Sequence, residues 1–217
     1  MRFIQGTPQV AANDIAERLN KLLAHKRSVL WLVSGGSNIA IQTMAMNMIP
    51  DGLSKNLTII PVDERFGPYS HAASNSAAMR AAGFDPKHAE WIDILENNQT
   101  LEQTTQLLNS YLAREVAIGD YIFATLGMGE DGHTAGILPQ SPALTTADFA
   151  VSFKAPDYSR ITIGADALTS HVQEAVLCAF GDNKRAVLQH LKSQDESRQI
   201  VPAMILHQIN DCTVYHD

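Results

Sequence analysis

The sequence predicts an α/β protein built on an open, mostly parallel, doubly wound sheet of the Rossmann-like type, with helices on both faces. Three observations lead there. Several apolar runs are too continuous for strands with one wet face. Segments with three- and four-residue apolar spacing alternate with those runs. Glycine- or charge-rich stretches follow the runs directly, where loops leave the strand ends of such a sheet. At 217 residues, with 45% of them apolar and no linker or low-complexity stretch, the chain is read as one domain over residues 1–217.

The elements follow in order. Residues 8–26 form an amphipathic helix carrying Val10, Ile15, Leu19 and Leu22, started by Thr7 as cap and Pro8 at the first helical position. Ser28–Val33 is a strand buried on both faces, and Asn38–Met48 a helix after the Ser34-Gly35-Gly36-Ser37 turn. Leu57–Val62 is a second buried strand, with Pro61 marking an edge or an end. Helices are expected at Ser74–Ala82 and Leu101–Val116, then a strand at Tyr121–Leu126 running into Gly127-Met128-Gly129. Phe149–Phe153 and Ile161–Ile163 read as strands around an Ala-Pro-Asp turn at 155–157. A short helix at Ala165–His171, a buried strand at Glu174–Phe180 and a helix at Asn183–Leu191 follow. Val201–Gln208 reads as helical and Thr213–Tyr215 as a last strand.

Composition narrows the function. A formal net charge of -7 argues against nucleic acid or an anionic membrane as partner, and an anionic substrate needs a locally positive pocket. The N-terminal residues lack the apolar region of a signal peptide, and no stretch reaches the length of a membrane span, so the cytoplasm is the expected compartment. Cys178 and Cys212 show no framework spacing, and Cys178 reads as a buried small hydrophobe. Nothing in the sequence bears on oligomeric state.

In a sheet of this kind ligands bind beyond the carboxyl ends of the strands. Four segments converge on that rim: Ser34–Ser37, Asp63-Glu64-Arg65, the stretch from Gly127 to His133, and Gly181–Lys184. The two glycines of the first let backbone approach a ligand at a helix start, and Ser37 either caps that helix or donates to a phosphate; an ordinary tight turn is the other reading. Arg65 is the one basic residue between Lys55 and Arg80 and suits an oxyanion through paired N–H donors, although a charge triplet also fits a solvated loop. Lys184 stands at a helix N-terminus, which the dipole does not favour unless an anion binds there, with Asn183 or Asp182 as candidate caps. Arg160 is a further basic candidate.

Gly127-Met128-Gly129-Glu130-Asp131-Gly132-His133 formally contains the dinucleotide fingerprint. Two carboxylates would meet the pyrophosphate, Pro139 leaves barely two helical turns, and Asp148 precedes its strand instead of ending it. A nicotinamide cofactor is therefore rejected. Metal is set aside as well, because no further His or Cys shows ligand spacing. The segment reads better as a general base: His133 takes a proton from water while Asp131 orients the ring and stabilises the imidazolium. A turn histidine bonded to backbone is the alternative.

Together these segments resemble the 6-phosphogluconolactonase family, within the larger group that also holds glucosamine-6-phosphate isomerases. The resemblance runs through SGGS at 34–37, VDER at 62–65, SHAASN at 70–75, LGMGEDGHTAGILP at 126–139, SRITIGADAL at 159–168 and GDNKRAVL at 181–188. It implies cofactor-free hydrolysis of a sugar-phosphate lactone. Ser34, Gly35, Gly36, Ser37, Arg65 and Lys184 would hold the substrate phosphate, and His133 with Asp131 would activate water. Asn75 is implied near the site in a structural or substrate-orienting role, Asp63 as a bridge between loops, and Gly129 and Arg160 among the substrate contacts. The related deaminase–isomerases typically read Asp-Glu-Tyr at 63–65 and place a glutamate where this chain has Leu138, which disfavours that branch. A sugar-phosphate sensor is the remaining rival, and no DNA-binding segment or basic tail accompanies the fold. The chain departs from the lactonase pattern at Gly136 (usually Ser), Ile137-Leu138 (usually Leu-Phe), Gln140 (usually Gly) and Phe66-Gly67-Pro68, and loss of the Ser hydroxyl and the Phe is expected to loosen the wall beside His133.

Overall fold

The computed structural model describes residues 1–25, 28–96 and 99–217. In chain order the elements are β1 (Arg2–Gln5), α1 (Pro8–Ala24), β2 (Val29–Val33), α2 (Asn38–Asn47), α3 (Asp51–Ser54), β3 (Leu57–Pro61) and β4 (Asp63–Arg65). Then come α4 (Asn75–Ala81), β5 (Glu90–Trp91), α5 (Leu101–Ile118), β6 (Tyr121–Gly127), β7 (Ala150–Lys154) and β8 (Ser159–Ile163). The chain finishes with α6 (Ala165–His171), β9 (Glu174–Cys178), α7 (Arg185–Ser193) and β10 (Asp211–His216). The first helix starts as its cap predicts, Thr7 accepting from Val10 N at 3.3 Å. Its expected last residue, Lys26, lies outside the described residues.

Seven strands form one sheet in the order β1-β10-β9-β6-β2-β3-β5, and every neighbouring pair is parallel. β2 shows why both faces are covered. Val29, Trp31 and Val33 pack with α1 and α2 residues such as Ile15, Leu19 and Met46. Leu30 and Leu32 pack on the other side with Leu108 and Leu112 of α5 and Leu188 of α7. Alternate side chains of one strand thus enter two cores, as a doubly wound sheet requires.

The expected strands at 149–153 and 161–163 are present but do not join this sheet. β7 and β8 form a hairpin, and β8 pairs antiparallel with β4 to make a three-stranded sheet β4-β8-β7. Asp63-Glu64-Arg65 is therefore a strand with strict facing, not a free loop. The segment expected to be helical at 201–208 is a 3₁₀ helix over Pro202–Gln208, and a 3₁₀ turn at Asp182–Lys184 precedes α7. β1 and β5 carry too few residues to show a period, and β5 has only two.

Strand order decides where a site can form. From β2 the chain builds outward through β3 to β5, then returns to add β6, β9 and β10 on the other side. The reversal falls between β2 and β6, the crevice where open α/β sheets bind ligands. The loops after β3, β2, β6 and β9 lie along one rim in that spatial order.

Candidate functional site

An open cleft lies at this rim. It is lined by Ser34, Gly35, Gly36 and Ser37 after β2, by Asp63 and Arg65 of β4, by Asn75, by Gly127, Met128, Gly129 and His133 after β6, by Ala135 and Gly136, by Arg160 of β8 and by Lys184. All the residues expected at the site border it except Asp131, which stands behind His133.

His133 and Asp131 are joined twice. The ring Nδ1 lies 2.6 Å from Asp131 Oδ1, and the backbone N of His133 donates to the same oxygen at 3.1 Å. A carboxylate only accepts, so Nδ1 carries the proton and Nε2 is left as the basic nitrogen. The bond to His133 holds the Asp131 carboxyl below the usual carboxylate range. Gly129 makes the pair possible: a Cβ there would lie 2.2 Å from His133 Nδ1 and 2.6 Å from Asp131 Oδ1. Gly132 turns the chain at φ +76, and its N donates to Gly129 O at 3.1 Å.

The next four residues form a tight turn. Ile137 N donates to Thr134 O at 2.8 Å, and the two central residues, Ala135 and Gly136, have φ values of 53 and 72. Positive φ at both central positions defines the primed turn of tight hairpins. Thr134 Oγ1 donates to Gly127 O at 2.8 Å, and Thr162 Oγ1 of β8 donates to Ala135 O. The space beside Gly136 is not loosened, contrary to the expectation from the missing serine. Asp63 fills it, so that an added Cβ would stand 2.5 Å from Asp63 Cβ.

Alternation along β4 gives its three charged residues different tasks. Asp63 and Arg65 face the cleft, and Glu64 faces inward with no exposure. Glu64 Oε1 accepts from Arg65 N and Asn75 N, both at 2.7 Å. Its Oε2 accepts from Ser74 Oγ at 2.9 Å and Ser76 N at 3.0 Å, pinning the start of α4 to the strand. Burial pushes the Glu64 carboxyl up against these four bonds. Asn75, thus placed, donates to Asp63 O at 2.9 Å and packs on Gly35, where a Cβ would stand 2.1 Å from its Oδ1. Burial also pushes the Asp63 carboxyl up, opposed by the charges of Arg160, Arg65 and His133.

The Ser34–Ser37 loop rests on a buried polar network that sequence reading missed. Gln42 of α2 accepts from Ser34 N at 2.8 Å and donates to Ser34 O at 2.7 Å, as a neighbouring strand would. Thr125 donates to Gln42 Oε1 at 2.5 Å, and Ser34 Oγ donates to Thr125 O at 2.8 Å. One amide inside the mostly apolar stretch Ile39–Met46, which has Thr43 as its other polar residue, was the available signal. Ser37 makes no capping bond, and its Oγ lies 3.5 Å from Lys184 Nζ. Neither Asp182 nor Asn183 caps α7. Asp182 pairs with Arg185 at 2.7 Å, and Asn183 Nδ2 donates to Glu130 Oε1 at 2.5 Å. Burial lowers the Lys184 ammonium below its ordinary value. No cluster of three His, Cys, Asp or Glu residues able to hold a metal is found among the described residues.

Fold and site together define a doubly wound α/β protein with a cation-lined cleft and a hydrogen-bonded histidine–carboxylate pair at its switch point. The chain belongs to the glucosamine-6-phosphate isomerase/6-phosphogluconolactonase family, whose model matches residues 5–215. It is 30% identical to a 6-phosphogluconolactonase of Neisseria meningitidis over 96% of this chain and 93% of that protein. It is also 30% identical to one of Pseudomonas aeruginosa, over 89% and 84%. Among solved structures, a putative 6-phosphogluconolactonase from Neisseria gonorrhoeae superposes with a TM-score of 0.71 at 28% identity, all of both chains being covered. A monomeric glucosamine-6-phosphate deaminase shares the fold, with a TM-score of 0.80 at 18% identity over 100% of this chain and 97% of that one.

Proposed function

We propose that this protein hydrolyses 6-phospho-D-glucono-1,5-lactone to 6-phosphogluconate, and that the reaction takes place in the cytoplasm without a cofactor. The observation that carries the reading is the Asp131–His133 pair, set on the rim of a cleft that also bears Arg65, Arg160 and Lys184. Three cations gathered in a chain of net charge -7 suit an anionic sugar phosphate. The 6-phosphogluconolactonases that match nearly the whole chain support the same reaction.

The substrate phosphate anchors the sugar so that C1 faces His133, turning remote binding energy into orientation. Nε2 takes a proton from a water molecule whose oxygen forms a bond to C1. The tetrahedral intermediate then breaks its bond from C1 to the ring oxygen. That oxygen takes the proton from the imidazolium and becomes the C5 hydroxyl, while the carboxyl formed at C1 ionises. Asp131 stays charged throughout and steadies the imidazolium. The deaminase alternative finds less support, because Asp63 is the one carboxylate lining the cleft among the described residues and Leu138 occupies the position of the second acid.

The test is lactone hydrolysis, corrected for the spontaneous rate, in the wild-type protein and in His133→Ala. The variant is expected to lose about 10²–10⁴-fold in rate. Turnover by His133→Ala near that of wild type would remove the general base. Wild-type protein inactive on the lactone but active on glucosamine 6-phosphate would move it to the isomerase branch.

A further inference from the structure

We propose that Gln42 is a positioning residue for the Ser34–Ser37 loop: its buried amide takes the place of the strand pairing that β2 loses where it parts from β6, and so holds the loop in the shape that binds an anion. The lactonase reading enters only in identifying that anion as the phosphate of the sugar.

The two strands separate at a definite residue. β2 and β6 pair from Val29 opposite Tyr121 to Leu32 opposite Ala124, and no further. Past that point β2 stays with β3, Val33 opposite Pro61, while β6 stays with β9 from Thr125 to Gly127. Ser34 follows at once and is buried, so its backbone N–H and C=O need partners inside the protein. Gln42 fills the fork: Oε1 accepts from Ser34 N at 2.8 Å, and Nε2 donates to Ser34 O at 2.7 Å. A side-chain amide carries the same donor and acceptor as a peptide unit. It can therefore stand in for a strand where an apolar residue or a carboxylate cannot.

The amide is itself held in one orientation. Thr125 Oγ1 receives the Trp31 Nε1–H at 3.1 Å and donates to Gln42 Oε1 at 2.5 Å, which fixes the end that is oxygen. Ser34 Oγ donates to Thr125 O at 2.8 Å and closes the network back onto β6. No other side chain of α2 shares the task among the described residues. Asn38, one turn earlier on the same helix face, is buried with neither amide atom bonded, and Thr43 Oγ1 donates to Ile39 O within the helix. Gln42 does not border the cleft, so it acts through the loop, whose four residues all line it. Gly35 and Gly36 come next in that loop, and glycines keep no shape unaided, so the anchor at Ser34 decides where it stands.

Calorimetric binding of 6-phosphogluconate and of inorganic phosphate, beside lactone kinetics, tests this in Gln42→Leu and Gln42→Glu. Gln42→Leu leaves Ser34 N and O unpaired. It is expected to weaken both ligands about tenfold or more and to raise KM alike, while kcat stays within about threefold because His133 follows a different strand, β6. Gln42→Glu has a signature of its own. Protonated, its carboxyl accepts from Ser34 N and donates to Ser34 O; ionised, it only accepts and sets an oxygen against Ser34 O. Burial favours the protonated form, and Trp31, Ser34 and Thr125 do not titrate. Its affinity for both ligands should therefore be close to that of wild type at about pH 5 and about tenfold weaker than wild type by about pH 9. A folded Gln42→Leu protein with a lowered melting temperature but unchanged affinities and KM would leave Gln42 a stability residue and overturn the proposal. So would a Gln42→Glu protein as weak at the low pH as at the high. Should neither variant fold, Thr125→Val decides: it removes the hydroxyl that holds Oε1 and should weaken both ligands, and unchanged affinities overturn the proposal. Wild type that binds phosphate without hydrolysing the lactone removes the lactonase reading alone, and the phosphate affinities of the variants still decide the role of Gln42.

Discussion

Gly129→Ala adds one methyl group and removes no functional atom, which makes it a sharp test of the proposed base. The backbone of Gly129 is not in the left-handed region, so alanine brings no φ strain there. The new Cβ would stand 2.2 Å from His133 Nδ1, 2.3 Å from Cε1 and 2.6 Å from Asp131 Oδ1. Ordinary carbon contact begins at 3.4 Å, so the imidazole must move by more than an ångström or the turn must open. Either movement breaks the 2.6 Å bond that fixes the tautomer. Misplacement on that scale, with the base no longer oriented, is expected to slow lactone hydrolysis about 10²–10⁴-fold, or ~2.7–5.4 kcal/mol in barrier height. The arginines and Lys184 are untouched, so binding of 6-phosphogluconate by calorimetry should survive, and the melting temperature should move little because Asp131 is half-exposed. Hydrolysis at close to the wild-type rate would refute the reasoning. So would a rate loss matched by an equal loss of product affinity, since the methyl group would then be disturbing the cleft as a whole.

Two further outcomes are expected. Gln140 sits at φ 58 while its backbone N donates to Gln199 O, a bond any residue keeps, so Gln140→Gly should raise stability in urea by about 0.5–1 kcal/mol; a loss of similar size would show the side chain to be needed. Burial pushes the thiols of Cys178 and Cys212 up to about 12, so neither should be alkylated by iodoacetamide at pH 8 in the folded protein, and both should react in urea; rapid labelling of the native protein would contradict that burial.

The rim of the site was legible in the sequence because its parts are local. Each of SGGS, GMGEDGH and GDNK follows an apolar run, and the end of a run locates the end of a strand. What escaped was pairing at long range. Three residues of β4 show no period, and their partner β8 lies about a hundred residues further along, so no local pattern could turn Asp63-Glu64-Arg65 into a strand. Once β4 is a strand, alternation sends Glu64 inward and brings Arg65 beside Arg160, neither of which the triplet shows when read as a loop. Gln42 escaped for a related reason: a helix position is legible by its period, but the backbone its amide grips belongs to another element.

His133 follows a strand of the large sheet whereas Arg65 and Arg160 belong to the small one, and the turn at 134–137 is bonded to both. His133 leaves the large sheet just before this turn, while Thr162 of the small sheet holds the turn through Ala135 O and Asp63 packs into the gap at Gly136. A serine at 136 would add a Cβ 2.5 Å from Asp63 Cβ, so this geometry excludes the side chain that the family pattern usually carries there. The missing serine is therefore not a simple loss of a hydroxyl. Glycine at 136 lets Asp63 come up against the turn, and the other cleft-facing residue of the same short strand is Arg65. Glycine at 136 thus lets a carboxylate of the small sheet, whose burial the neighbouring cations oppose, pack against the turn that follows His133.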